Sequence, residues 1–358
     1  MVIKTLSLIN YRNYKHLEAS FNSGLNFIYG KNGQGKTNLI ESLYFSSHLK
    51  SFRTPKIDQL KLFQSESANI RIQVEKQSVI NNIGISIIQD RKKVSVNNKI
   101  LGFSSEFIRN FFSILFAPDL LSSFKEYPIE RRTFFDRILY VTDIAYFQLI
   151  KEYNRIRKQK AILLKSQSMN ELDIWNRLLS DSIPKIIASR KKLVDQINVK
   201  LPLIYHELTG RSENLQLCYF NDFQDKIDLV PETIFQFLST KKEIECAKGF
   251  LFYGPHKDNY WMTRDGIQDK ISFSQGEYRI SFLALQLSIN QIIKQELNFY
   301  PVLLLDDIFS ELDESVCEKS IHHIFENNNQ VFITSTSIPD QFIGLGNIYQ
   351  IESGKIIN

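Results

Sequence analysis

Short runs in which apolar and polar residues alternate dominate the first 118 positions, a pattern typical of half-buried β-strands. The clearest runs are VIKTLSL (2–8), LNFIYG (25–30), IRIQVE (70–75) and IGISII (83–88). One helix is predicted between them, from Lys36 to about His48, because Leu39 and Leu43 fall on one face. The N-terminal part is therefore predicted to be rich in strands.

From about Asp119 to about Lys248 the apolar residues follow the longer period of a helix. Leu149, Tyr153 and Ile156 form one apolar stripe. SIPKIIASRKKLVDQINVK (182–200) is typical of another amphipathic helix, with Pro184 expected near its start, where proline is tolerated.

After residue 249 the α/β pattern returns. PVLLLDD (301–307) is continuously apolar before its acids, as expected of a buried parallel strand, and QVFITST (330–336) is predicted to be the next strand. We therefore predict one α/β domain of mixed sheet and helices, split by a mainly helical insertion. The predicted segments are 1–118, 119–248 and 249–358.

Composition is that of a globular protein, with 43% hydrophobic and 23% charged residues among 358. The formal net charge is +5, but residues 119–200 contain 16 Lys and Arg against 10 Asp and Glu. That stretch carries +6, which leaves −1 for the rest. This asymmetry indicates either an anionic partner or a solvated helical face, and charge alone leaves both open.

Cysteine usage and hydropathy favour a cytoplasmic protein without a membrane partner. Cys218, Cys246 and Cys317 are far apart and form no CxxC pair, so neither a disulfide framework nor a zinc site is indicated. We expect no signal peptide, and no apolar run approaches the ~18–20 residues that span a bilayer.

A complete phosphate-loop motif, G-x-x-x-x-G-K-[ST], follows the strand-like LNFIY and precedes the predicted helix. Its glycines let backbone N–H groups approach phosphate oxygens, its lysine can reach the β- and γ-phosphates, and its threonine can bind Mg²⁺. The predicted ATP-binding residues of the motif are Gly30, Lys31, Asn32, Gly33, Gln34, Gly35, Lys36 and Thr37.

Two acids end the apolar strand VLLL, at the sheet edge where open α/β folds bind ligands. Asp306 is expected to hold Mg²⁺ together with Thr37. Because neighbouring strand residues face opposite sides, Asp307 is assigned a separate role in activating the attacking water. The alternative is that both acids only cap a following helix.

The order of a phosphate loop, the polar tip SQGE (274–277), LLLDD and SELD (310–313) resembles the ABC-type ATPase head. In that class Ser274, Gln275, Gly276 and Glu277 would form the signature motif. The short loop after the magnesium strand, the D-loop, would be Ser310, Glu311, Leu312 and Asp313.

Further segments resemble the RecF family of bacterial recombination-repair proteins, which is related to the SMC heads. These are INYRNY, GKNGQGKTNLIESLY, SFRT, FAPDL, YPIERRTFFD, GPHKD, SQGEYR and LLLDDIFSELD, and they span nearly the whole chain. The resemblance implies ATP with Mg²⁺, slow hydrolysis, an ATP-dependent homodimer and DNA binding without sequence specificity. It also implies a pathway with RecR, RecO and RecA.

Site roles implied by the resemblance make Lys36, Asp306 and Asp307 catalytic, and they place the signature tip on the nucleotide of a second copy. Arg12 and Asn13 are candidate nucleotide contacts, with an ordinary polar turn as the alternative. The chain departs from ABC heads in having Asp307 rather than glutamate. It also has Thr336 at the switch-histidine position and no Q-loop glutamine, and FAPDL has Asp119-Leu120 where the family has Glu-Asp.

Candidate DNA contacts lie in the basic helical segment, where each could equally be a solvated or structural charge. They are Arg131, Arg132, Arg155, Arg157, Lys158, Arg190, Lys191 and Lys192. GPHKD (254–258) is predicted to be a turn that either displays His256, Lys257 and Asp258 or holds the junction of the two lobes. The rival functions are a transporter ATPase subunit, a small-molecule kinase and a non-catalytic ATP-gated clamp.

Overall fold

A computed structural model describes residues 1–101, 105–224, 226–326, 329–338 and 343–357. Its strands are β1 (Val2–Tyr11), β2 (Tyr14–Ser20), β3 (Leu25–Tyr29), β4 (Ser67–Lys76), β5 (Val79–Ile88), β6 (Arg91–Val96), β7 (Lys99–Leu101), β8 (Ser113–Phe116), β9 (Leu215–Phe220), β10 (Asn259–Arg264), β11 (Ile267–Gln268), β12 (Val302–Leu305), β13 (Val331–Ser335), β14 (Asn347–Glu352) and β15 (Lys355–Ile357).

The helices are α1 (Lys36–His48), α2 (Ser105–Ile108), α3 (Pro118–Glu126), α4 (Pro128–Thr142), α5 (Ile144–Lys165), α6 (Leu172–Thr209), α7 (Pro231–Lys248), α8 (Asp269–Ser272), α9 (Gln275–Leu297), α10 (Ile308–Glu311) and α11 (Glu314–Glu326). A 3₁₀ turn covers Ile57–Leu60. Across the described residues, no helix combines the length and the apolarity needed to cross a membrane.

The chain forms two compact units. The first comprises Met1–Lys125, Leu203–Ser212 and Phe273–Asn358, and the second comprises Glu126–Pro202 and Glu213–Ser272. The bounds of these units differ from those of the three predicted segments, since residues 119–125 and 203–212 belong to the first unit and 249–272 belong to the second. Helix α6 contributes to both units because it continues past Pro202.

The first unit contains two six-stranded sheets. One has the order β2-β1-β4-β5-β6-β7 with antiparallel pairs, and its apolar residues alternate as predicted. The other has the order β15-β14-β3-β13-β12-β8, in which β14, β3, β13, β12 and β8 are parallel neighbours. The three strands β8, β12 and β13 are buried throughout, which explains their continuous apolar runs.

This parallel sheet positions the site. The segments after β3, β12 and β13 emerge at the same edge, because parallel strands share their carboxyl ends. In register, Leu305 pairs with Ile333, and Ile333 pairs with Phe27. The phosphate loop and the two acids therefore begin from strands that only β13 separates, although 269 positions lie between Thr37 and Asp306 in the sequence.

The second unit combines helices with the three-stranded sheet β11-β10-β9. Helix α6 begins at Leu172, so the expectation that Pro184 lies near a helix start is wrong: Pro184 and Pro202 are both inside the helix. On α5 the buried stripe includes Lys160, whose ammonium lies 2.6 Å from the carboxylate of Glu245 on α7, and neither side chain is exposed. A charge was not expected on that stripe.

Candidate active site

Two glycines of the phosphate loop are required by close packing. A Cβ on Gly30 would lie 2.3 Å from the carbonyl oxygen of Ile351. A Cβ on Gly35 would lie 2.6 Å from Nδ2 of Asn13, and Gly35 has φ of 117°, which L side chains rarely adopt. Gly35 is also the N-cap of α1, so the loop runs directly into the helix N-terminus.

Two distant segments hold the loop from outside the motif. The Asn13 side chain donates to the Gln34 carbonyl at 3.0 Å, and the Tyr14 hydroxyl donates to the Gly35 carbonyl at 2.8 Å. From the C-terminal hairpin, Ser353 N–H donates to Gln34 Oε1 at 2.6 Å and Gly354 N–H donates to the Gln34 carbonyl at 3.1 Å. Sequence reasoning missed Tyr14 and the hairpin, because no local pattern marks such contacts.

Lys36 is 8% exposed, and its ammonium donates to two carbonyls of its own loop, those of Gly30 at 2.6 Å and Lys31 at 3.0 Å. Desolvation lowers the pKa of Lys36, and the nearby carboxylates of Asp307 and Asp306 partly oppose that change. The loop thus holds a positive charge where the motif requires one.

Asp306 is 4% exposed and accepts two hydroxyl hydrogen bonds on Oδ1, from Thr37 at 3.2 Å and from Thr334 at 2.6 Å. Burial raises the pKa of Asp306, and the two hydroxyls partly oppose this. A hydroxyl and a buried carboxylate side by side are the hard oxygen donors that Mg²⁺ takes, so these residues fit the metal.

Thr334 is a site residue that sequence reasoning did not single out. Besides its bond to Asp306, its hydroxyl accepts the backbone N–H of Asp307 at 2.9 Å, so β13 braces both acids of β12. The only signal in the sequence was a polar side chain within the apolar strand VFITS, and threonine is common in strands.

Asp306 and Asp307 differ in environment, although not for the predicted reason. Strand β12 ends at Leu305, so strand alternation does not govern the pair. Instead Asp307 has φ of 54°, in the left-handed region, and is the N-cap residue of α10 without a side-chain capping bond. The turn leaves Asp307 half-buried, while Asp306 is enclosed.

Arg12 and Asn13 have different surroundings. Asn13 contacts the loop backbone, whereas Arg12 forms a bidentate pair with the fully buried carboxylate of Glu41 on α1, at 2.7 and 2.6 Å. Arg12 also donates to the carbonyl of Gln59 at 2.9 Å. Asn13 therefore lies beside the phosphate loop, and Arg12 anchors the β1–β2 turn to α1.

The signature tip opens helix α9 as a capping box. Ser274 Oγ accepts the Glu277 N–H at 3.2 Å, and Glu277 Oε2 accepts the Ser274 N–H at 2.9 Å. Ser274, Gln275 and Gly276 are exposed. A Cβ on Gly276 would meet no atom within 4 Å, so local packing does not explain the glycine.

The D-loop segment begins within the last turn of α10, with the Ser310 hydroxyl donating to the carbonyl of Asp307 at 3.0 Å. Leu312 is 9% exposed and Asp313 is exposed, while the side chain of Glu311 lies outside the described part of the chain. Thr336, at the switch position, is exposed just beyond β13.

Four candidate DNA contacts are exposed in the second unit, namely Arg155, Lys158, Lys191 and Lys192, and Arg157 and Arg132 are half-buried. Arg131 is 4% exposed and donates to Oδ1 of Asn259 at 3.0 Å, while Arg132 donates to the carbonyl of Asp258. These bonds favour the structural alternative for both residues.

The assignment of Arg190 to DNA is wrong. Its side chain is 3% exposed and lies 2.6 Å from the Asp258 carboxylate and 2.9 Å from that of Asp136. The GPHKD segment accordingly displays only Lys257. Asp258 is fully buried, and half-buried His256 lies 2.8 Å from the Tyr153 hydroxyl, where burial lowers its pKa to about 4.

The fold and site define an ABC-type ATPase head. A family model described as the RecF/RecN/SMC N-terminal domain matches residues 2–352. The solved head of an Smc protein covers the full chain with a TM-score of 0.57 at 17% identity, which supports the fold.

Relatives with higher sequence identity indicate the family within this class. A DNA replication and repair protein RecF from Alkaliphilus oremlandii is 34% identical, covering 94% of this chain and 93% of its own. A RecF solved with ATP, a recombination mediator protein of the RecFOR pathway, has a TM-score of 0.89 at 28% identity and covers 99% of this chain and 96% of that one. The chain therefore belongs to the RecF family within the RecF/RecN/SMC group.

Proposed function

We propose that this protein is an ATP-dependent DNA-binding protein of recombinational repair and replication-fork maintenance. The observation that carries the proposal is the connected site formed by the phosphate loop, Thr37, Asp306 and Thr334 at the edge of the parallel sheet. The RecF relatives support the biological setting, and they do not favour the transporter alternative.

The chain's own groups would act as follows. Lys36 leaves the carbonyls of Gly30 and Lys31 and binds the β- and γ-phosphates. Thr37 and Asp306 would hold Mg²⁺, which neutralises phosphate charge when bound. Asp307 orients the attacking water from its half-buried position. An aspartate is shorter than glutamate, consistent with slow turnover.

Assembly follows from the exposed signature tip. In an ABC-type dimer, Ser274 and Gly276 bind the γ-phosphate that a second copy carries in its loop. Two identical chains then enclose two nucleotides about a two-fold axis. ADP lacks the γ-phosphate, so hydrolysis weakens the dimer, and ATP acts as a dimerisation switch.

DNA and protein partners complete the proposal. The exposed Arg155, Lys158, Lys191 and Lys192 bind phosphates of duplex and gapped DNA without reading sequence. The solved RecF relative belongs to the RecFOR pathway, which supports RecR and RecO as partners. With them, the protein would help to place RecA at single-stranded gaps in the cytoplasm.

Light scattering with ATP, with ADP and without nucleotide, each with and without gapped DNA, tests the proposal. We expect twice the monomer mass only with ATP. In a phosphate-release assay under the same conditions, we expect gapped DNA to accelerate hydrolysis. Monomers under all conditions would contradict the dimer switch. A dimer without measurable hydrolysis would favour the non-catalytic clamp.

A further inference from the structure

The signature tip has a charged support that no sequence motif marks. Arg211 lies with its Nη1 3.0 Å from Oε1 of Glu277, the residue whose other oxygen accepts the Ser274 N–H. The Glu277 side chain is 23% exposed and that of Arg211 is 52% exposed. One carboxylate therefore joins an arginine to the backbone of the signature serine.

Arg211 lies two residues beyond the end of helix α6. Most of that helix belongs to the other compact unit, but residues 203–212 belong to the same unit as the tip. A second contact holds this segment, because a carboxylate oxygen of Glu207 on α6 lies 3.0 Å from Nδ1 of His323 on α11, the helix that follows the D-loop. The end of α6 is thus held against the first turn of α9 and against α11.

We propose that Arg211 is a positioning residue for the signature motif, acting through Glu277. This inference rests on the proposed role of Ser274 at a second copy's nucleotide. In the capping box, Ser274 Oγ accepts the Glu277 N–H, which leaves its own hydrogen free to donate to a phosphate oxygen. Arg211 holds the carboxylate that fixes the Ser274 backbone, so the hydroxyl and the N-terminal N–H groups of α9 are oriented before the partner arrives.

A double-mutant cycle on dimerisation tests the pairing. Arg211→Ala removes the cation, whereas Glu277→Gln removes the charge and keeps an amide oxygen that can accept the Ser274 N–H. An exposed ion pair typically contributes about threefold to an equilibrium, and each dimer contains the pair twice, so we expect each variant to weaken ATP-dependent dimerisation by about tenfold. The double variant is expected to match Glu277→Gln within about twofold, and Arg211→Lys to recover part of the loss.

Two further measurements separate positioning from folding. Monomer affinity for ATP is expected to stay unchanged in Arg211→Ala, and the unfolding midpoint to change no more than in a control. Arg177→Ala, which breaks a surface pair with Glu232 whose arginine is 46% exposed, is that control and should dimerise normally. Two results would overturn the role of Arg211. In the first, the losses of dimer affinity in the two single variants multiply in the double variant. In the second, Arg211→Ala weakens dimerisation no more than the control variant does. A Ser274→Arg variant that still dimerises with ATP would instead overturn the proposed function itself.

Discussion

At the scale of single residues, Lys36 and Asp306 share one cause for opposite pKa changes. Burial disfavours the charged form of each, so it lowers the pKa of the lysine and raises that of the acid. Each charge is partly compensated by hydrogen bonds within the chain. The site is therefore electrostatically unfavourable in the isolated chain and gains stability when phosphates and Mg²⁺ supply the missing counter-charges.

Asp306→Asn tests this balance. Because the pKa of Asp306 is raised, its charge opposes folding at pH values above that pKa, and this effect fades as the pH falls through it. An asparagine oxygen can still accept from Thr37 and Thr334. We expect the unfolding midpoint at pH 7.5, without ligands, to rise by about 1–2 °C, because a given change in free energy shifts the midpoint less in a longer chain.

The stabilisation by Mg²⁺ and ATP in the same calorimetric scan should shrink in the Asp306→Asn variant. Asp90→Asn, the same chemical change at an exposed turn between β5 and β6, serves as the control. An unchanged or lowered midpoint at pH 7.5 would mean that the buried charge of Asp306 is already compensated in the isolated chain.

Single-residue roles divide into those that a motif marks and those that only the fold reveals. Lys36, Thr37 and Asp306 were predictable because fixed spacings mark them, and the structure places Thr37 against Asp306. Thr334 was not predictable, since its role comes from strand order. Arg190 was misassigned because a charge count does not distinguish a solvated arginine from one enclosed by two carboxylates, of which that of Asp258 is buried and that of Asp136 is partly buried.

At the scale of elements, the first turn of helix α9 contains the residues of the proposed signature contact. Gly276 has space around it and an ordinary φ, so the isolated chain does not need glycine there. Where packing within the chain does not require a glycine, the close approach of another molecule can require one, because a side chain would block that approach. In the proposed function, this open space is where the nucleotide of a second copy approaches.

Gly276→Ala separates these two requirements. Alanine favours helix by up to about 1 kcal/mol over glycine, so the unfolding free energy of the monomer should stay equal or rise. ATP-dependent dimerisation should weaken by at least about tenfold, because an added methyl group at a tight interface typically costs 1–3 kcal/mol. Analytical ultracentrifugation alongside denaturant unfolding gives both values, and normal dimerisation would contradict the close approach.

Arg190, Lys191 and Lys192 are neighbours on helix α6, and we predict a structural role for the arginine and DNA binding for the two lysines. Arg190→Ala leaves the carboxylates of Asp136 and Asp258 without their partner, and we expect it to destabilise the protein by about 3–5 kcal/mol in denaturant unfolding. The double change of Lys191 and Lys192 to alanine should leave unfolding unchanged.

The same lysine variant should lower DNA affinity and reduce the slope of log K against log salt by about 2. Its DNA binding is best followed by fluorescence anisotropy across a salt series. An unaltered salt slope would remove both lysines from the DNA surface.

Element boundaries were predictable where packing repeats a simple period. Helix α1 has the bounds that its pattern indicated, and β3, β12 and β13 lie where their apolar runs do. The predicted start of α6 was wrong because Pro184 suggested that a helix begins close to it. Tertiary packing of the apolar face over 38 residues outweighs the missing N–H and the steric conflict of an interior proline.

At the scale of the whole molecule, we propose two half-sites on one chain. The phosphate loop with Asp306 would form one, and the exposed tip at Ser274 to Gly276 would form the other. A second copy and a DNA surface were predictable only through family resemblance, because composition and spacing carry no information about a second copy.

The most direct test of the central claim is the mass of the Ser274→Arg variant with Mg²⁺ and ATP, measured by sedimentation equilibrium beside the unmodified chain. We expect both proteins to bind ATP with similar affinity and the unmodified chain to double in mass. The variant is expected to stay monomeric, because the arginine occupies the space of the partner's γ-phosphate. A variant that binds ATP and still doubles in mass would contradict the claim that this tip completes the site of a second copy.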